Sequence, residues 1–254
     1  MHEPIFYLNP ENSTVVVFIH GFMGSPRQFE RTAHSVHAQG FSAASLLLPG
    51  HGYSVKEFSQ STSEKWQNSV NAEIERFSLK YNKIFLVGHS MGCLLAINAA
   101  DKYCGKISGL YLIACPFRLK GLSVQSLKVR LKQIFYSKTH PMKATYFNGS
   151  SVPLSLSLLW RSAKPAAELR KLMIISKANL HNIRVPVTAV YSSSDEVVSA
   201  DSLEIFKTAL DRTLLTTIDL SDSYHAYYPE HEQSVIESTL ISAVALCQAR
   251  QDGH

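Results

Sequence analysis

Five consecutive residues, Gly88-His89-Ser90-Met91-Gly92, carry the strongest chemical signal in this chain. They follow an apolar run over 83–87 and precede a helical pattern over 93–102, so Gly-x-Ser-x-Gly stands at a strand-to-helix turn. A residue at the tip of so tight a turn is strained, and side chains at the two glycine positions would crowd the adjoining helix and strand. The turn exposes the Ser90 hydroxyl and sets the Met91 amide at a helix N-terminus, where it favours negative charge. That is the chemistry of a nucleophile attacking a carbonyl. A second amide donor is expected from the turn after an earlier strand, and His20-Gly21-Phe22-Met23-Gly24 occupies that place. The Phe22 N–H is assigned as this donor, beside the Met91 N–H, while His20 reads as a structural histidine bracing the loop.

A serine needs a base, and the base needs an orienting carboxylate. His225 and His231 are the realistic bases. His225 follows the run 216–220 by the short polar loop Ser221-Asp222-Ser223-Tyr224, whereas His231 stands near the start of the last helix as a surface or capping residue, so His225 is preferred. For the acid, Asp195 follows the run 187–191 through Ser192-Ser193-Ser194. Glu196 is adjacent but is expected to point elsewhere, Asp201 belongs to the next helix, and Asp222 shares the loop of His225. Asp195 is therefore preferred, which gives the chain order Ser90, Asp195, His225.

The elements that must position these groups alternate regularly. Val15-Val16-Val17-Phe18-Ile19 is a continuous β-branched and apolar run, as expected for a strand covered on both faces. Ser25 and Pro26 then mark a helix start, with Phe29, Ala33 and Val36 on one face and Gly40 at its end. Further strands are expected over 42–48, 83–87, 107–114, 187–191 and 216–220, and helices over 63–81, 93–102, 199–210 and 232–249. Strand alternating with helix at this spacing predicts a mostly parallel sheet with helices on both faces. Such sheets bind ligands at the C-terminal ends of their strands, where every motif above falls.

The chain has 254 residues, 45% of them hydrophobic and 18% charged, with a net charge of +5. That composition suits one sizeable core. No apolar stretch approaches the roughly 18 residues that span a bilayer, and the N-terminus shows no secretory signal. Cys93, Cys104, Cys115 and Cys247 lack metal-type spacing and are expected to be reduced thiols, so a cytoplasmic location is expected. Residues 116–184 break the rhythm. Helical patches, among them Leu127, Leu131, Ile134 and Phe135, then Leu169, Leu172 and Met173, occur there without a clear buried strand. A helical lid inserted between two sheet strands is expected, leaving 1–115 and 185–254 as the core domain.

With these motifs in place, the chain resembles the α/β-hydrolase superfamily, nearer to bacterial carboxylesterases and monoacylglycerol lipases than to other branches. The resemblance rests on His20-Gly21-Phe22-Met23-Gly24, Pro49-Gly50-His51-Gly52, residues 88–92, the Asp195 loop and the Tyr224-His225 loop. It implies an α/β-hydrolase fold, a Ser90-His225-Asp195 triad, and cleavage of small-molecule carboxylic esters through an acyl-enzyme without metal or organic cofactor. The N-terminal part is short for such a fold, and one or two early strands are expected to be missing. The same scaffold also supports carbon–carbon bond hydrolases or lyases, and a thioesterase acting on an anionic acyl substrate. The lid carries thirteen Lys and Arg against the single acid Glu168, a local charge near +12, while the remainder is near −7. Lys128 and Lys132 share a helical face there, with Leu131, Phe135, Leu158 and Trp160 as apolar neighbours. An anionic lipid surface is accordingly one partner to test, against simple solvation of exposed helices. No basic recognition motif points to nucleic acid, and nothing in the sequence speaks to oligomeric state.

Overall fold

The runs at the centre of the sequence pattern, 15–19 and 187–191, are buried along their whole length, whereas 216–220 is exposed at Thr216, Thr217 and Asp219. The computed structural model, which describes residues 2–52, 54–120 and 161–252, contains seven strands: β1 (Ile5–Tyr7), β2 (Thr14–Ile19), β3 (Ser42–Leu46), β4 (Lys83–His89), β5 (Ile107–Ile113), β6 (Val187–Ser192) and β7 (Leu215–Leu220). They form one sheet in the order β1-β3-β2-β4-β5-β6-β7. All neighbours run parallel except β1, which pairs antiparallel with β3. Because successive strand residues point to opposite faces, the runs divide between two cores. Val15, Val17, Ile19, Ile84, Leu86, Leu110 and Leu112 face one; Val16, Phe18, Phe85, Val87 and Tyr111 face the other.

Helices cover both faces, so strands apolar on both sides are the stable solution. On the first face lie α3 (Ser63–Ser78), α4 (Met91–Lys102), α5 (Ala163–Asn179) and α6 (Ser202–Ala209), after the short α2 (Val55–Ser59). Trp66, Val70, Ile74 and Phe77 recur at helical spacing along α3 and are all buried. The second face is covered by α1 (Glu30–Ala38), through Ala33 and Val36, and by α7 (Glu230–Asp252), through Ile236, Leu240 and Val244.

Two short elements escaped the sequence reading. β1 spans three residues, too few to show a period, and it is the one strand found ahead of the β-branched run. α2 is a single short helix, but its start carries a local signal: the Ser54 side chain accepts from the Glu57 amide while the Glu57 carboxylate accepts from the Ser54 amide. Boundaries shift modestly, with the second run ending at Leu46 and the helix expected over 199–210 beginning at Ser202.

β5 and β6 pair directly, so the chain between them leaves the sheet and returns to the neighbouring position. Of the expected lid, Leu127, Lys128, Leu131, Lys132, Ile134, Phe135, Leu158 and Trp160 lie outside the described residues. The described part, α5, is fastened to the core. Leu172 is buried, the Ser176 hydroxyl donates to the Leu94 carbonyl at 3.0 Å, and the Glu168 carboxylate accepts from the Ser63 amide and hydroxyl at 2.9 and 2.5 Å. The single acid of the basic segment thus caps the N-terminus of α3, a favourable place for negative charge. Among the described residues no helix is long and apolar enough to cross a membrane.

Candidate active site

Parallel strands deliver their C-terminal ends to one edge of the sheet, and the loops after β2, β4, β6 and β7 meet there. The turn after β4 is tight enough that Ser90 takes φ 52° and ψ −118°, a backbone conformation that L residues rarely adopt. Both flanking glycines are sterically required. A Cβ on Gly88 would lie 2.6 Å from the Cys93 backbone, and one on Gly92 would lie 1.9 Å from the Ile19 carbonyl oxygen. The turn is pinned from outside as well, since the Ser90 amide donates to the Ile113 carbonyl at 2.9 Å.

Across from Ser90, the His225 ring bridges two loops. Its Nε2 lies 3.0 Å from the Ser90 Oγ, and its Nδ1 lies 2.8 Å from the Asp195 Oδ2. With the Nδ1 proton donated to the carboxylate, Nε2 is left as an acceptor for the Ser90 hydroxyl proton. Asp195 is buried, with its Oδ1 accepting from the Val197 and Val198 amides at 2.7 and 2.8 Å. Burial pushes this carboxyl up, but the His225 charge, the His225 ring N–H and those two amides outweigh it and hold the pKa below the usual value. The carboxylate therefore stays ionised at neutral pH. The Asp195 loop is also stitched to the chain leaving β5, by a Leu119–Val198 bridge and by the Lys120 amide donating to the Val197 carbonyl at 2.8 Å.

The loop after β2 lies against the Ser90 turn. A Cβ on Gly21 would stand 3.1 Å from the Ser90 Cβ. Two buried histidines shape that loop, and their partners fix their protons. The His20 Nδ1–H donates to the Gly21 carbonyl at 2.9 Å while its Nε2 accepts from the Leu48 amide at 3.1 Å. His51 donates from Nδ1 to the Pro49 carbonyl at 3.2 Å and accepts at Nε2 from the Met23 amide at 3.1 Å. The Met23 amide thus ties the loop after β2 to the loop after β3. Met91 is the first residue of α4, whose amide an α-helix leaves without an intrahelical acceptor.

Other residues weighed from the sequence fall elsewhere. Asp222 is exposed and pairs with His231 at 3.1 Å, and Asp201 stands at the start of α6. Glu196 meets His225 at its main chain, where its Oε2 accepts from the His225 amide at 2.9 Å. Asp222, His231 and Glu232 bring ligand atoms within 4.8 Å of one another, the one such group among the described residues. Glu232 is already engaged, however: it accepts from the Ser221 and Asp222 amides and the Ser223 hydroxyl, fastening the loop that carries His225. Cys93, Cys115 and Cys247 are buried, Cys104 is exposed, and none of the four is joined in a disulfide.

The sequence profile of the family described as serine aminopeptidase, S33, matches residues 10–157. The thermostable monoacylglycerol lipase of Bacillus sp. (strain H-257) is 25% identical over 238 residues, spanning 92% of this chain and 90% of that enzyme. A solved metagenome-derived lipolytic enzyme superposes with a TM-score of 0.76 at 22% identity, covering 96% of this chain and 97% of the other. The monoacylglycerol lipase of Paleococcus ferrophilus superposes with a TM-score of 0.69 at 18% identity, covering 94% and 98%. At those identities the two structures share the fold. Sheet order, strand-end loops and the matched profile agree, and the chain belongs to the serine aminopeptidase S33 family of α/β-hydrolases.

Proposed function

We propose that this hydrolase cleaves small-molecule carboxylic esters, monoacylglycerols among them, with Ser90, His225 and Asp195 as its catalytic triad. The observation that carries the reading is the unbroken chain of contacts from the strained Ser90 through His225 to the ionised Asp195. His225 takes the Ser90 proton as Ser90 attacks the ester carbonyl, and Asp195 stabilises the imidazolium. The Phe22 and Met91 amides hold the developing oxyanion. His225 then returns its proton to the departing alcohol. Water, activated by the same ring, attacks the acyl-enzyme and frees the carboxylic acid. Residues 116–184, read from the sequence as a lid, are the segment to which the proposal assigns the acyl and alcohol preference. The full-length similarity to a monoacylglycerol lipase supports the ester class.

Turnover of p-nitrophenyl esters of graded chain length tests the proposal, with thioester and carbon–carbon bond substrates run alongside. Wild-type protein is expected to favour esters and to be labelled covalently by a fluorophosphonate. Ser90→Ala is expected to lose both labelling and roughly 10⁴-fold or more in kcat. A folded wild type that hydrolyses no ester, or a Ser90→Ala variant that is still labelled, would overturn it.

A further inference from the structure

His225 sits at the tip of a tight turn. The Tyr224 amide donates to the Tyr227 carbonyl at 2.9 Å and the Tyr227 amide returns to the Tyr224 carbonyl at 3.3 Å, so the hydrogen bonds that close the turn leave out the main-chain groups of His225. Side chains from other parts of the fold take them up. The Glu196 carboxylate accepts from the His225 amide at 2.9 Å. The His225 carbonyl lies 2.8 Å from the His89 Nε2 and receives a longer contact, 3.4 Å, from the Tyr228 hydroxyl.

His89 is the more telling of these. Burial first, and then the His225 charge, lower its pKa to about 3, so the ring is neutral and carries one proton. A carbonyl only accepts, which places that proton on Nε2. Nδ1 is then a bare acceptor, and it finds no donor among the described residues. A buried nitrogen left unsatisfied is a standing cost, and an apolar side chain at position 89 would avoid it. What an apolar side chain would not supply is the donor for His225. The cost is incurred inside the nucleophile turn itself, on the residue immediately before Ser90.

We propose that His89 and Glu196 are positioning residues that clamp the His225 peptide from both sides. With the backbone held, two torsions alone set the ring between Asp195 and Ser90. The proposal rests on the reading of His225 as the base and Ser90 as the nucleophile. It assigns a task to the variable position of Gly-x-Ser-x-Gly and to the carboxylate beside the acid, neither of which touches substrate.

His89→Phe removes the donor and Glu196→Ala removes the acceptor, while His89→Gln and Glu196→Gln restore them. The first pair is expected to lower kcat about 10–100-fold, the size of effect a small misplacement of a catalytic group produces, with KM within about threefold. Fluorophosphonate labelling is expected to slow in parallel. The glutamine variants are expected to recover most of the loss, and the downfield Nδ1–H proton resonance of His225 is expected to broaden in the first pair only. Glu196 is only half-buried, so its variants carry the test should a position-89 variant fail to fold. Wild-type labelling at Ser90 with kcat unchanged in His89→Phe and Glu196→Ala would overturn the clamp alone. A wild type that is neither labelled nor active would overturn the triad and the clamp with it.

Discussion

Acidification should unfold this protein through its histidines before its carboxylates matter. His20, His51 and His89 are each at most 4% exposed, and burial is the largest cause lowering each pKa, to about 4 for His51 and about 3 for His89. In the unfolded chain a histidine titrates near about 6.5. Between those limits the unfolded state binds protons that the folded state refuses. Stability is therefore fully present above about pH 6.5 and is lost as pH falls toward the folded values. A fully depressed group contributes a slope of about 1.4 kcal/mol per pH unit, so His51 and His89 together give about 3 kcal/mol per unit near pH 5, and His20, lowered in the same direction, adds to it. Over two to three units that loss is enough to unfold a domain in the lower half of the usual stability range of about 5–15 kcal/mol. Asp195 and Glu232, both with lowered pKa values, add their losses only below the usual carboxylate range. Urea unfolding followed by tryptophan fluorescence, in steps from pH 8 to pH 4.5, measures the slope, and His51→Gln is expected to remove about a third of it. A stability that stays flat from pH 7 to pH 5, or rises, would refute the assignment of these rings as buried and neutral.

Two further outcomes are expected. Gly92→Ala would set a methyl 1.9 Å from the Ile19 carbonyl oxygen and 2.9 Å from that of His20, main-chain atoms that cannot rotate aside. A loss of about 3 kcal/mol in urea unfolding is expected, with at least about 100-fold lower ester turnover because α4 and the Phe22 loop are pushed apart; Gly105→Ala, whose methyl would meet nothing within 4 Å, is the neutral control. Exposed Ile174 on α5 is flanked at helical spacing by Arg170, Lys171 and Lys177, so binding to anionic vesicles should exceed binding to zwitterionic ones and weaken with salt, and indifference to lipid charge would dismiss the basic segment as a membrane contact.

Much of the fold was legible because its signals are local. Val15-Val16-Val17-Phe18-Ile19 reads as a strand covered on both faces from five side chains alone, and it is one. Trp66, Val70, Ile74 and Phe77 name a helix by their spacing. β1 was not legible, since three residues held by pairing with β3 carry no period of their own. α2 was missed although its capping box stands in the sequence, because a single helical turn does not build an amphipathic stripe.

The site divides along the same line. Sequence by itself determined the strained turn at Ser90, since the glycines at 88 and 92 and the serine between them answer a steric problem confined to five residues and the strand and helix they join. It also narrowed the histidine and the carboxylate proposed to serve Ser90 to a few residues in two loops. Only the tertiary structure decided that Asp195 and not Asp222 meets the His225 ring, that Glu196 and His89 take up its main-chain groups, and that His51 claims the Met23 amide. Those contacts join residues 28 to 136 positions apart. They exist because a parallel sheet in the order β2-β4-β5-β6-β7 brings distant strand ends to one edge. A hydrogen bond of about 3 Å is decided by where the chain returns, and no local pattern records that.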